Sequence, residues 1–99
     1  MNIFLDHKKS PYNPDNFIII KNIEDFKKII KTEKVDLISM SHDFMESDLG
    51  LQAANFLIAN NIFVQYVNLH EFSKTKSFLI KSRLEKKFPS IIITMNNKV

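Results

Sequence analysis

The chain has no cysteine and no tryptophan, one glycine and three prolines in 99 residues. Without cysteine there is no disulfide, no thiolate zinc ligand and no thiol nucleophile, so a metal site must be built from histidine and carboxylate. Gly50 alone cannot build a P-loop or a dinucleotide-binding loop, where several glycines let the backbone approach a phosphate. Long apolar runs are missing too. None exceeds four residues, against about 20 for a bilayer span, so no membrane contact is expected. The opening MNIFLDHKK places its apolar residues before its charges, the reverse of a secretory leader, and a soluble cytoplasmic protein is expected.

What is present suits a single domain over 1–99, with 44% hydrophobic and 25% charged residues. The net charge of +3 is unevenly placed. No Lys or Arg occurs from Val35 to Ser73, where Asp36, Asp43, Glu46, Asp48 and Glu71 fall. Lys74, Lys76, Lys81, Arg83, Lys86 and Lys87 then follow against Glu85 alone. A basic helix over 73–88 suits either phosphate or nucleic acid, or a solvated face backed by Phe78, Leu79, Leu84 and Phe88.

Periodicity gives alternating elements. Ile3–Leu5 reads as a short buried strand, and Pro11 and Pro14 keep the following DHKKSPYNPDN out of helix. Phe17–Ile20 is a second strand. Asn22 caps a helix bearing Ile23, Phe26 and Ile30 at i, i+3 and i+7. Val35–Met40 is the third strand, and Asp48 caps a helix to about Asn60 with Leu49, Ala53, Phe56 and Leu57 inward. Ile62–Val67 is the fourth strand, Ser73 caps the basic helix before Pro89, and Ile91–Ile93 is the last strand. Phe63, Tyr66 and Phe72 alternate less cleanly and suit an apolar patch for a protein partner or a homodimer.

Continuous apolar strands separated by helices indicate a three-layer α/β sandwich around a five-stranded parallel sheet. Right-handed crossovers give the flavodoxin-like order 2-1-3-4-5, with the first helix replaced by a loop and a functional crevice at the carboxyl ends of the strands. On that rim the sequence sets Asp6 and His7, then Ser41, His42 and Asp43, then Asn68 and His70, then Thr94 and Asn96.

IFLDHKKSP, VDLISMSHDF, GLQAANFLIANN and the LH after the fourth strand together resemble the cyclic-phosphate processing receiver family. That family carries an acidic FLDD-R-P opening, ISLDHDL after strand 3, a GYD helix start and HS-NP after strand 4. The resemblance implies a domain that binds or hydrolyses a cyclic phosphate, either an RNA 2′,3′-cyclic end or a cyclic nucleotide. Position by position it carries over Asp6, His42, Asp43, Gly50 and His70. It departs at His7 for the second acid, at Lys8 or Lys9 for the arginine, at Ser41 for the first Asp of DHD, and at EFSK for SANP. With acids missing at 7 and 41, a divalent metal would have Asp6 as its one matching ligand. An ordinary phosphorelay receiver is excluded, because its phosphoryl-accepting aspartate is Ser41 here and strand 5 runs into Thr94 and Met95.

Opening a cyclic phosphodiester with water needs one group to take a proton and one to give it. His42 and His70 suit those roles, with Asp43 or Asp6 orienting an imidazole and Asp6, Lys8, Lys9, Ser41 and Asn68 contacting substrate. This expectation is of a possible cyclic phosphodiesterase. The alternative is a catalytically inactive pseudo-receiver, a binding or protein-interaction module of a phage or bacterial conflict system.

Overall fold

A computed structural model describes residues 1–41, 48–70 and 74–96, the side chain of Lys74 excepted. Five strands form one parallel sheet: β1 (Asn2–Leu5), β2 (Ile18–Ile20), β3 (Leu37–Met40), β4 (Tyr66–Leu69) and β5 (Ile92–Thr94). Their order is β2-β1-β3-β4-β5. The helices are α1 (Ile23–Thr32), α2 (Leu49–Ala59) and α3 (Lys74–Lys87), and the β1–β2 connection holds only a 3₁₀ turn, Pro14–Asn16. Parallel order 2-1-3-4-5 and the loop in place of a first helix agree with the expectation from sequence.

Chain direction explains which side each connection takes. From β1 the chain steps outward to β2, then returns past β1 to β3 and continues through β4 to β5. Right-handed crossovers therefore send the β1–β2 loop to one face and all three helices to the other. The core follows: Ile3, Leu5, Ile38, Met40, Val67 and Leu69 pack in one cluster with Phe26 and Ile30 of α1, Ala53 and Leu57 of α2, and Ile80 and Leu84 of α3. Residues of opposite parity face the other way. Paired across the strands, they form a lower row of Asn2, Leu37, Tyr66 and Ile92, and a middle row of Phe4, Ser39, Asn68 and Thr94. Above them the ladder continues through hydrogen bonds from Ser41 N to Leu5 O and from His70 N to Met40 O. This second face is apolar at its lower edge and polar towards the carboxyl ends.

Two elements differ from the expectation. Ile62–Val67 is not the fourth strand. Pairing begins at Tyr66, opposite Leu37, and Asn68 lies inside β4 rather than after it. The preceding residues finish α2 instead: Asn61 N–H bonds to Ile58 O and Ile62 N–H to Leu57 O at 2.9 Å, with Asn61 at φ 54°. That is the Schellman arrangement, in which a left-handed residue lets the last carbonyls find donors. On α3 the inward stripe is Ser77, Ile80, Leu84 and Phe88, whereas Phe78 is 61% and Leu79 41% exposed. The i, i+3, i+7 spacing from Ser77 decides it, and Phe78 sits a full helical step of about 100° off that stripe.

Asn22 caps α1 as expected, its Oδ1 accepting from Asp25 N–H at 2.8 Å. Asp48 occupies the N-cap position of α2 but makes no capping hydrogen bond, its carboxylate lying 3.8 Å from Lys76 Nζ. Because Asn61 holds a positive φ that glycine adopts freely, Asn61→Ala is expected to lower stability by about 1 kcal/mol and Asn61→Gly to leave it equal or higher, read from urea unfolding midpoints.

Candidate functional site

Two small residues, Ser39 on β3 and Ser41 directly after it, shape the site. Ser39 and Ser41 sit in the centre of the second face, and their short side chains leave room above β3 for groups from the strands on either side. Neighbouring strands are about 4.8 Å apart, so β1 and β4 are separated by about 10 Å across β3. Into that gap the ring of Phe4 from β1 stacks on the ring of His70 from the end of β4, with centroids 4.5 Å apart and planes within 10°. Phe17, at the end of the β1–β2 loop, packs edge-on against Phe4 at 5.8 Å.

His70 is 2% exposed, and both of its ring nitrogens are engaged. Nε2 lies 3.0 Å from Asp6 Oδ2. Nδ1 lies 2.7 Å from Ser39 Oγ. The network is anchored at the backbone of Asn96. Asn96 N–H donates to Asn68 Oδ1 at 3.0 Å, and Asn96 C=O accepts from Asn68 Nδ2 at 2.8 Å, which fixes the amide's orientation. Asn68 Nδ2 then donates to Ser39 Oγ at 3.1 Å, and Thr94 Oγ1 donates to Asn68 Oδ1 at 2.7 Å. Ser39 Oγ, which accepts from Asn68, is also the hydrogen-bond partner of His70 Nδ1. Because an ionised carboxylate can only accept, Nε2–H of His70 donates to Asp6. Every polar side-chain atom of this network has a partner.

Asp6 closes the network. Its Oδ1 accepts from the backbone N–H of Lys8 at 2.9 Å and of Lys9 at 3.1 Å, which folds the start of the β1–β2 loop over its own strand end. Burial pushes this carboxyl up, but the His70 hydrogen bond and the two backbone N–H groups outweigh it and hold it at about 2. The result is a buried, ionised carboxylate at the carboxyl end of the first strand.

Ser39, His70 and Asp6 have the composition of a nucleophilic triad but not its function. Ser39 is fully buried in mid-strand, its oxygen also accepts from Asn68, and the ring nitrogens are used in the reverse sense. No acyl group could reach the hydroxyl. Nor do these groups suit a divalent ion: Asp6 Oδ1 is filled by two N–H donors, both nitrogens of His70 are taken, and residue 7 is histidine. Among the described residues no group of three or more His, Asp or Glu is placed to hold a metal.

The expected site residues are thus brought together in part. Asp6, Asn68 and His70 share one network, and Ser41 is buried beside it. Lys8 and Lys9 enter through their backbone amides while their side chains lie at the surface. His42 and Asp43 lie outside the described residues, as do Phe72 and the expected cap Ser73. A free imidazole at position 70 is not what the geometry provides, since neither nitrogen is left for a substrate proton. Ser39 and Phe4 were absent from the sequence-derived set. The signal for Ser39 is a serine within the buried run VDLISM, matched in register by Asn68 in YVNL.

A family model described as the cyclic-phosphate processing receiver domain matches residues 1–95. The chain belongs to the cyclic-phosphate processing receiver family. No curated protein and no solved structure matches it significantly. In this receiver domain the carboxyl rim of the sheet carries the buried Ser41 after β3 and the Asp6–His70 pair.

Since the folded Asp6 carboxyl titrates near 2 rather than at 3.8, its ionised form stabilises the fold above about pH 4, and that contribution is lost as the pH falls towards 2. Urea midpoints measured from pH 5 down to about pH 2 should therefore fall further for the native protein than for Asp6→Asn, by on the order of 2 kcal/mol. Ser39→Leu would fill the space above β3 and expel the His70 ring. A loss of about 3 kcal/mol is expected, with a smaller one for Ser39→Ala, which keeps the space and removes only hydrogen bonds.

Proposed function

We propose that this domain binds a cyclic phosphodiester, in an RNA 2′,3′-cyclic end or a cyclic nucleotide, at the carboxyl rim of its sheet. The observation that carries the reading is the family match over residues 1–95 falling on a chain whose family-matched Asp6 and His70 form one buried pair at that rim. Asp6 cannot leave its partners without stranding a charge, so the pair acts as scaffold. It anchors the loop that presents the Lys8 and Lys9 side chains to a phosphate and fixes the chain just before residue 42.

Hydrolysis, on this reading, runs through His42. A water oxygen bonds to phosphorus, one ring P–O bond breaks, His42 takes the water's proton and returns a proton to the leaving oxygen, and Asp43 orients the imidazole. His70 is a positioning residue. A second reading, a pseudo-receiver that captures the cyclic phosphate without turning it over, is favoured by one specific feature: the commitment of both His70 nitrogens leaves one histidine where two were expected to divide the proton transfers.

Calorimetric titration with 2′,3′-cyclic and 3′,5′-cyclic nucleotides, with phosphorus NMR of the same samples, tests both. Micromolar binding that chelator does not alter is expected, with slow conversion to a monoester that His42→Ala abolishes. Binding without conversion selects the second reading, and no binding of either isomer sinks both. His70→Ala is expected to cost about 3 kcal/mol of stability by leaving Asp6 unpaired, an effect His42→Ala does not share.

A further inference from the structure

On α3, Lys76, Leu79, Ile80 and Arg83 follow one another at i, i+3, i+4 and i+7, which places them in one stripe along the helix. That stripe borders α2. Leu79 and Ile80 meet Leu51 of α2 around a cavity of about 110 Å³, with Asp48 and Lys76 at its end nearer the helix starts. One turn further along, Arg83 Nη1 donates to Asn55 Oδ1 of α2 at 3.0 Å. Leu51 and Asn55 are four residues apart on α2, so the two helices form a groove that is aliphatic on one rung and polar on the next. The groove is open, since Leu79 is 41% exposed. Phe78 takes no part in it and lies on the opposite flank of α3 with Glu85.

Size narrows what the cavity can hold. A water needs about 30 Å³ and an apolar cavity that takes a benzene ring is about 150 Å³, so this one suits a branched aliphatic side chain and is too small for a nucleobase. Charge narrows it further. Within the bounds of the three helices lie nine of the fourteen cations and three of the eleven anions, a net +6, while the remaining residues carry five cations and eight anions, a net −3. At the groove the cations are Lys76 and Arg83, one turn before and one turn after the aliphatic rung. Across the uncharged α2, Lys27 and Lys31 of α1 lie 5.5 and 5.4 Å from the centroid of the Phe56 ring. Facing them is one carboxylate, Asp48, 3.8 Å from Lys76 Nζ. The other helical anions are placed elsewhere: Glu85 with Phe78, and Glu24 and Asp25 in the first turn of α1, where Asp25 accepts from the Asn22 amide. Arg83 uses one of its five N–H donors on Asn55, and the rest of the planar fork suits a carboxylate.

We infer that the groove between α2 and α3 is a docking site for an acidic segment of a partner protein. The segment inserts one branched aliphatic side chain between Leu51, Leu79 and Ile80 and sets carboxylates against Lys76 and Arg83. Those cations are seven residues apart, about 10.5 Å along the axis, a span that a helical partner matches with Asp or Glu one turn before and one turn after its anchor. A polynucleotide would satisfy the cations but has no branched aliphatic group for the cavity. The groove lies on the helical side of the sheet, opposite the Asp6–His70 network, and the inference does not rest on cyclic-phosphate binding.

The probe is an alanine-rich helical peptide of about 16 residues, carrying one Leu with Glu four residues before it and three after it, titrated into the methyl-labelled protein. The methyl signals of Leu51, Leu79 and Ile80 are expected to shift together, with a Kd on the order of 0.1 mM. Leu→Ala in the peptide should weaken binding about tenfold. Glu→Gln at both positions should weaken it about threefold and remove its salt dependence. Leu79→Ala in the protein should reduce the gap between the Leu and Ala peptides, and Phe78→Ala should change nothing. Both positions are exposed, and circular dichroism verifies that the variants stay folded. No shift at about 1 mM peptide overturns the inference, as does equal binding of the Leu and Ala peptides, which reduces the surface to charge attraction. Two further results overturn it by assigning another occupant. An oligouridylate of about 12 nucleotides that moves the same methyls more tightly than the peptide makes the groove a nucleic-acid surface. Shifts of these methyls with protein concentration alone give it to a second copy of the chain.

Discussion

The hydrogen bond from His70 to Asp6 crosses an entire strand, and much of the second face of the sheet is arranged so that it can form. It needs serines at 39 and 41, because a branched side chain on β3 would occupy the space between the donor and the acceptor. It needs Phe4 to shield the ring from above and Phe17 to hold Phe4. It also needs a loop in place of a helix between the first two strands, since the Lys8 and Lys9 amides must turn back onto the carboxylate. A buried anion with fewer than these partners would be lost to protonation or to unfolding.

The two faces of the sheet solve different problems with the same strands. Towards the helices, alternate residues are aliphatic and the packing is that of an ordinary parallel sheet. On the other side the same strands carry a graded surface, apolar at the lower edge and hydrogen-bonded at the top. Asn68 is the hinge between the two halves of this polar chemistry. Its single amide satisfies the chain leaving β5 and holds the hydroxyl that meets His70, so the C-terminal segment and the first loop are linked through the side chains of Asn68, Ser39, His70 and Asp6. Charge adds a third asymmetry, with the helical layer positive and the rest of the molecule negative.

Element type and order were legible in the sequence because apolar periodicity reports burial directly, and burial is what a parallel sheet with crossover helices imposes. Boundaries were less so where two kinds of burial look alike. IFV before Gln65 is apolar because Ile62 completes the end of α2 and Val64 joins the core, not because it pairs with β3. Phe78 was read as inward on residue type, while the helix phase set by Ser77, Ile80 and Leu84 turns it outward. In the site, the acid and the histidine were visible as strand-end residues, yet their mutual bond was not, since it depends on what β3 omits. Ser39 looked like a neutral interruption of a strand. Only cross-strand register makes it the link between Asn68 and His70.

The stacking of Phe4 on His70 gives the protein an internal spectroscopic reporter. A proton on an imidazole lying flat above a benzene ring at 4.5 Å experiences that ring's induced magnetic field and resonates upfield of a solvent-exposed histidine. Any event that turns the His70 ring, such as loss of its hydrogen bond to Asp6, would alter the stacking and shift that signal. The state of the site can thus be followed in solution from a single resonance, without a label and without knowledge of the ligand.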